Sequence, residues 1–166
     1  MAIAKQVLIP RGLMQNGIDL CKQNVSDFLK DAKFMVREGR LDHAYVIVEF
    51  AIEEFGKIVM LNEALSLNTN DPVLVKESVF KSHNEKSTNA WVVLNPKYRI
   101  IFDEGAYDES VYDPRFYQTN TTASHNTLLD CAFVGFDGNR WVLGTKIKQS
   151  LLENLITHVD DMLTKI

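Results

Sequence analysis

With 166 residues, the chain is long enough for one domain with a real core and too short for two. Its apolar fraction of 46% and charged fraction of 24% are ordinary for a soluble globular protein. A formal net charge of −4 provides no basic surface for generic nucleic-acid binding and no DNA-binding signature, although it leaves room for an enzyme that touches RNA at a small pocket.

Met14, Ile18, Cys21, Val25, Phe28, Ala32 and Met35 recur at alternating spacings of three and four. The pattern predicts one long amphipathic helix from Arg11 to Glu38 with a narrow apolar seam, ended by Gly39 in a left-handed cap. A second helix follows from about Leu41 to Leu65, and the short link makes the pair an antiparallel hairpin. Asn68 to Pro72 reads as a turn and then a helix start, with Asp71 as cap and Pro72 in the first turn. The third helix is expected to run from there to about Val93, before Asn95-Pro96.

Lys97 to Ser124 is irregular and aromatic-rich, and is expected to be a packed loop with short helical pieces. Leu129 to Phe136 and Asn139 to Leu143 flank Asp137-Gly138, the pattern of a small β-hairpin with a tight turn. Thr145 is placed to cap a last helix with the seam Ile147, Leu151, Leu155, Val159, Met162 and Ile166. The expected architecture is all-α: a single domain over 1–166, an antiparallel bundle of four main helices with a β-hairpin before the last.

The second helix is the most informative segment. His43 to Lys57 is apolar on most sides yet carries Glu49, Glu53, Glu54 and Lys57. Buried charges are costly unless paired, so these groups are expected to meet counter-charges inside the bundle. At about 100° per residue, Glu54 shares a stripe with Ile47, Phe50, Ile58 and Leu61. Glu49, Glu53 and Lys57 form the adjacent stripe, where Glu53 and Lys57 are spaced to pair. Gly56 weakens this helix, a cost that a close backbone approach by a neighbouring helix would justify.

On the third helix, His83 and Lys86 share a core-directed face with Val79, Ala90, Val93 and Leu94. Two readings follow. In the first, Glu53 and Glu54 satisfy Lys57, Lys86 and His83 as an interior ion-pair network. In the second, His83 is a general base, Lys86 and Lys57 neutralise a phosphate, and Glu54 orients them.

Other chemistries lack their residues. No Glu is followed by His at i+3, and there is no H-E-x-x-H, zinc-type Cys/His spacing, calcium loop, phosphate loop or G-x-S-x-G elbow. No metal or cofactor is expected. Cys21 and Cys131 belong to no C-x-x-C pair and read as free thiols of a reducing cytosol. The first residues lack a signal peptide's apolar core, and no apolar run approaches the roughly 20 residues of a membrane span. A cytoplasmic location is expected. His125 and His158 are expected to be solvent or helix-flank residues.

A long first helix, an apolar helix ending Glu53-Glu54-Phe55-Gly56-Lys57, and then Phe80-x-x-His83-x-x-Lys86 together resemble the AbiV group of abortive-infection proteins, within the HEPN superfamily. The placement of Ala132 to Asp137, Trp141 and a terminal amphipathic helix is similar too. The resemblance implies a bacterial phage-defence protein with a HEPN-like bundle, usually a homodimer, and a phage protein or RNA as partner. HEPN nucleases cleave RNA without metal through an Arg-x4–6-His motif. This chain departs from that pattern, since its nearest match, Arg37 to His43, straddles the Gly39 turn. Two functions stand side by side: a defence protein that binds a component of translation or RNA metabolism, and a metal-independent endoribonuclease. The apolar second helix, together with the family's habit, also leads to an expected homodimer.

Overall fold

A computed structural model describes residues 5–94, 128–129, 131–132, 135–136, 141–142 and 147–166. The aromatic stretch 97–124, His125, Thr145 and the turn at Asp137-Gly138 lie outside these residues.

The frame is the expected helical hairpin. Helix α1 spans Arg11–Arg37 and α2 spans Leu41–Leu67, and the two pack along their length. Gly39 has φ of 69°, a left-handed conformation that favours glycine. The Gly39 N–H donates to Val36 C=O at 3.0 Å and the Arg40 N–H to Met35 C=O at 2.9 Å. That pair of bonds is the Schellman arrangement, which satisfies the last carbonyls of α1 and turns the chain back.

The α1 seam differs from its predicted form in its second half. The buried residues are Met14, Ile18, Cys21, Val25, Leu29, Ala32 and Val36, while Phe28 and Met35 are half-buried. Spacings of 4, 3, 4, 4, 3 and 4 follow an eleven-residue repeat, close to the natural pitch of a straight helix, where a heptad would drift.

After α2 the sequence expectation fails. No helix begins at Pro72. Val73–Lys76 is a strand, β2, paired antiparallel with β1 at Gln6–Ile9. Val73 and Val75 are buried while Leu74 and Lys76 are exposed, the period of a strand with one face on a core. Asp71 does cap a helix, but α1: its Oδ1 accepts the Arg11 backbone N–H at 3.0 Å. The Arg11 guanidinium in turn donates to the carbonyls of Leu65 and Asn68 at the end of α2.

The expected third helix is two pieces, α3 at Ser78–Lys81 and α4 at His83–Leu94. The break falls at Ser82, whose Oγ accepts the Glu85 N–H at 3.2 Å and so opens α4 with its own cap. Helix α4 buries Lys86, Ser87, Ala90, Trp91 and Leu94. Trp91 replaces the expected Val93 as the large core contact, and Val93 is half-buried.

The small hairpin before the last helix is present. Strand β3, Gly135–Phe136, pairs antiparallel with β4, Trp141–Val142. It is shorter than predicted, because Leu129, Cys131 and Ala132 are helical. Helix α5, Gln149–Leu163, starts with Lys148 and not Thr145 at its N-cap, and buries Leu152, Leu155, Ile156 and Val159. It packs on α1, α2 and α4.

The expected all-α, HEPN-like bundle is therefore observed, with α2 at its centre and an unforeseen β1–β2 ribbon at one end. Ala44, Val48, Ala51, Ile52, Phe55 and Ile58 of α2 are all fully covered within one chain. The apolar character of α2 thus needs no second copy to explain it. No helix among the described residues is long and apolar enough to cross a membrane.

Candidate functional site

Position 56 sets the spacing of α2 and α4. Gly56 has no Cβ, so the α4 backbone comes down onto it, with the Lys86 carbonyl against its Cα. Contact this close carries His83 and Lys86, the first turn of α4, onto the side of α2 that holds Glu53.

Glu53 is buried and gathers both basic groups. The His83 Nδ1–H donates to Glu53 Oε2 at 2.6 Å, and the Lys86 ammonium lies 3.3 Å from the same oxygen. The two partners differ in setting. Lys86 is buried at 7% exposure, as its predicted core-facing position requires. His83 is not core-facing: its side chain is 72% exposed, with only the Nδ1 edge held by the carboxylate. The imidazole caps the mouth of the cluster, because α4 starts at residue 83 and its first turn lies at the surface.

Glu54 works on the opposite flank of α2. Its two oxygens accept from the Lys57 ammonium at 2.9 and 2.8 Å. The expected Glu53–Lys57 pair is therefore replaced by Glu54–Lys57 at i, i+3, since Glu53 turns toward α4 and Lys57 does not follow it. Phe50, expected to share an enclosed stripe with Glu54, is 44% exposed and stacks at a tilt with Phe28 of α1, ring centroids 6.1 Å apart.

Two α1 residues that carried no weight in the sequence complete this flank. The Cys21 thiol and the Asn24 side chain both face the Glu54 carboxylate and act on its charge. Burial raises the Glu54 carboxyl, but Lys57, Cys21 and Asn24 outweigh it and hold the group below its ordinary value. Burial and then the Glu54 carboxylate push the Cys21 thiol up to about 12. Cys21 is therefore a neutral thiol at physiological pH and not a nucleophile. It also feels the charges of both Lys57 and Lys86, so the two flanks belong to one polar seam across α1, α2 and α4.

Glu49, one turn before Glu53, is buried at 3% exposure on the same helix. The other two described histidines stand apart from the cluster: His43 is exposed, and His158 of α5 donates through Nε2 to the Leu94 carbonyl at the end of α4. Among the described residues no group of His, Cys, Asp and Glu is arranged to hold a metal ion.

A long helical hairpin, closed by two further helices and carrying a histidine–carboxylate pair where α4 crosses α2, has the form of a HEPN-like domain. The AbiV family model matches residues 13–164, nearly the whole chain, and the chain belongs to that family. Family membership points to abortive infection, a form of phage defence. No curated protein and no solved structure matches the chain.

Proposed function

We propose that the chain acts in phage defence as a cytoplasmic protein that binds a phage-encoded or host component of translation or RNA metabolism, without chemistry of its own. The observation that carries this reading is the closure of the polar seam. The Lys86 ammonium is buried on Glu53, and Lys57 is held by both oxygens of Glu54. A phosphate would have to compete with carboxylates already in place for either cation, so the seam serves as an interhelical lock. Affinity capture of the full chain from phage-infected cells tests the reading. Recovery of one specific phage or host component is expected, and recovery of none after infection overturns it.

A second reading has one specific observation in its favour. His83 presents most of its ring to solvent while a buried carboxylate fixes Nδ1, which leaves Nε2 free to accept a proton. In this reading the chain is a metal-independent endoribonuclease in which His83 deprotonates a ribose 2′-hydroxyl and Glu53 orients the ring. Lys86, Lys57 and Glu54 set the local field. Incubation with total RNA in EDTA separates the two readings. Cleavage that disappears in His83→Ala supports the nuclease, and intact RNA rules it out.

A further inference from the structure

We propose that β1 is a docking edge for a second copy of this chain, with two β1 strands pairing antiparallel about a two-fold axis at Val7 to form one four-stranded sheet. Such a pairing does not depend on which target the chain binds.

The hydrogen-bond phase of the ribbon carries the argument. Val7 lies opposite Val75, Ile9 opposite Val73, and the Glu77 N–H donates to the Lys5 carbonyl at 2.9 Å. Opposed residues in an antiparallel ladder alternate between bonded and non-bonded pairs. With Lys5–Glu77 bonded, Val7 and Ile9 also bond to β2, and Gln6 and Leu8 turn their N–H and C=O groups away from it. Among the described residues no strand other than β2 pairs with β1. Gln6 is exposed and Leu8 is 62% exposed. Protein edges are normally blunted by charge, proline or a bulge, and Gln6–Ile9 carries no charge and no proline.

An antiparallel edge is its own complement under two-fold symmetry. With the axis at Val7, Gln6 and Leu8 of one copy face Leu8 and Gln6 of the other, and every outward donor of the strand is used. Moving the axis to Leu8 would set Gln6 against Pro10, which has no N–H. The charges also permit self-pairing. Lys5 falls opposite Ile9 of the other copy, and its own charge is answered by Glu77 beside it. No like charges face each other directly, the arrangement that destabilises cross-strand pairs. Leu8 and its cross-strand neighbour Leu74, 42% exposed, form an apolar patch that meets the side chain of Gln6 from the other copy across the axis.

Sedimentation or light scattering of the full chain over a range of concentrations tests this. The expected result is a mass rising from one chain to two. Leu8→Pro removes only an outward donor and leaves the β1–β2 bonds in place, so it is expected to stay monomeric with an unchanged melting curve. Val7→Cys places two thiols across the axis in a non-bonded pair, close enough for a disulfide. Oxidation is expected to give a covalent dimer there and none for Leu20→Cys on the exposed face of α1. A native chain that is monomeric throughout, a folded Leu8→Pro that still dimerises, or a Val7→Cys chain that fails to cross-link overturns the proposal. If Leu8→Pro does not fold, the cross-link decides. A monomer that still captures its target overturns the sheet alone, and a dimer that captures nothing overturns the binding reading alone.

Discussion

Gly56 and Lys86 are in backbone contact. A Cβ at residue 56 would stand 1.8 Å from the Lys86 carbonyl oxygen, 2.6 Å from its carbon and 3.1 Å from the Ala90 nitrogen. Nothing there can rotate aside, because every atom named belongs to the α4 main chain. Glycine at this site costs α2 about 1 kcal/mol of helix propensity, and in return α4 comes close enough for Glu53 to reach both His83 and Lys86.

Gly56→Ala is therefore expected to destabilise the protein despite the better helix former. Overpacking costs about 1–3 kcal/mol where side chains can adjust, and a backbone clash belongs at or above the top of that range. For a domain of this size the melting temperature should fall by roughly 5–10 °C. A thermal melt followed by circular dichroism checks it, and an unchanged midpoint would show that α4 is free to move away.

The Arg11–Asp71 contact gives a second expectation. Asp71 caps the first turn of α1, while the Arg11 side chain closes the carbonyl end of α2, so one pair of residues finishes two helices. Asp71→Ala should cost about 0.5–2 kcal/mol, the usual range for a lost N-cap. Urea denaturation provides the measurement. A midpoint within error of the native value would mean that water replaces the carboxylate.

These two sites mark where the sequence could and could not be read. Gly56 was legible: glycine inside an apolar helix implies a close neighbour, and the neighbour is there. The α1–α2 hairpin, the Gly39 turn and the burial of Lys86 follow equally from period and cap chemistry. Asp71-Pro72 was misleading, because a cap before a proline says that a helix starts but not which one. The valines of Val73-Leu74-Val75-Lys76 carried a strand signal, overshadowed by the helical pattern after it. Which way Glu53 and Glu54 turn could not be read at all. Adjacent helical residues differ by 100°, and only the packing of α1 on one flank and α4 on the other assigns each carboxylate its cation. Cys21 and Asn24 were invisible for the same reason: their value lies in facing Glu54 across a helix interface.

Glu54 should make stability depend on pH in a defined direction. Burial acts to raise its pKa, but Lys57, Cys21 and Asn24 bring the folded-state value below the ordinary 4.5. A depressed folded-state pKa gives stabilisation that is fully present above about 4.5 and is lost as pH falls through the folded value. The melting temperature of the native chain should decline below that point, and Glu54→Gln should flatten the decline. Parallel curves for the two proteins would assign the acid sensitivity to other carboxylates.

Cys21 offers a chemical probe of the same flank. With its pKa pushed up to about 12 by burial and Glu54, the thiolate is scarce at pH 8. Iodoacetamide at that pH should leave Cys21 unmodified in the native protein and alkylate it in denaturant, as peptide mass spectrometry would read directly. Rapid native labelling would show that the α1–α2 interface opens.

The Glu53 cluster separates structural from functional roles. Glu53→Gln leaves the buried Lys86 ammonium without its counter-charge, and breaking a buried pair from one side costs about 3–5 kcal/mol. His83 is mostly exposed, so His83→Ala should cost well under about 1 kcal/mol after solvent screening. Lys86→Met in the Glu53→Gln background should recover much of the loss, because the orphaned charge is then gone. Equal costs for Glu53→Gln alone and with Lys86→Met would contradict the pairing. Phage protection measured on the same variants completes the comparison. If protection falls in proportion to melting temperature across all three, the cluster is a lock between α2 and α4. If His83→Ala keeps its melting temperature and loses protection, the exposed imidazole itself is what the defence uses.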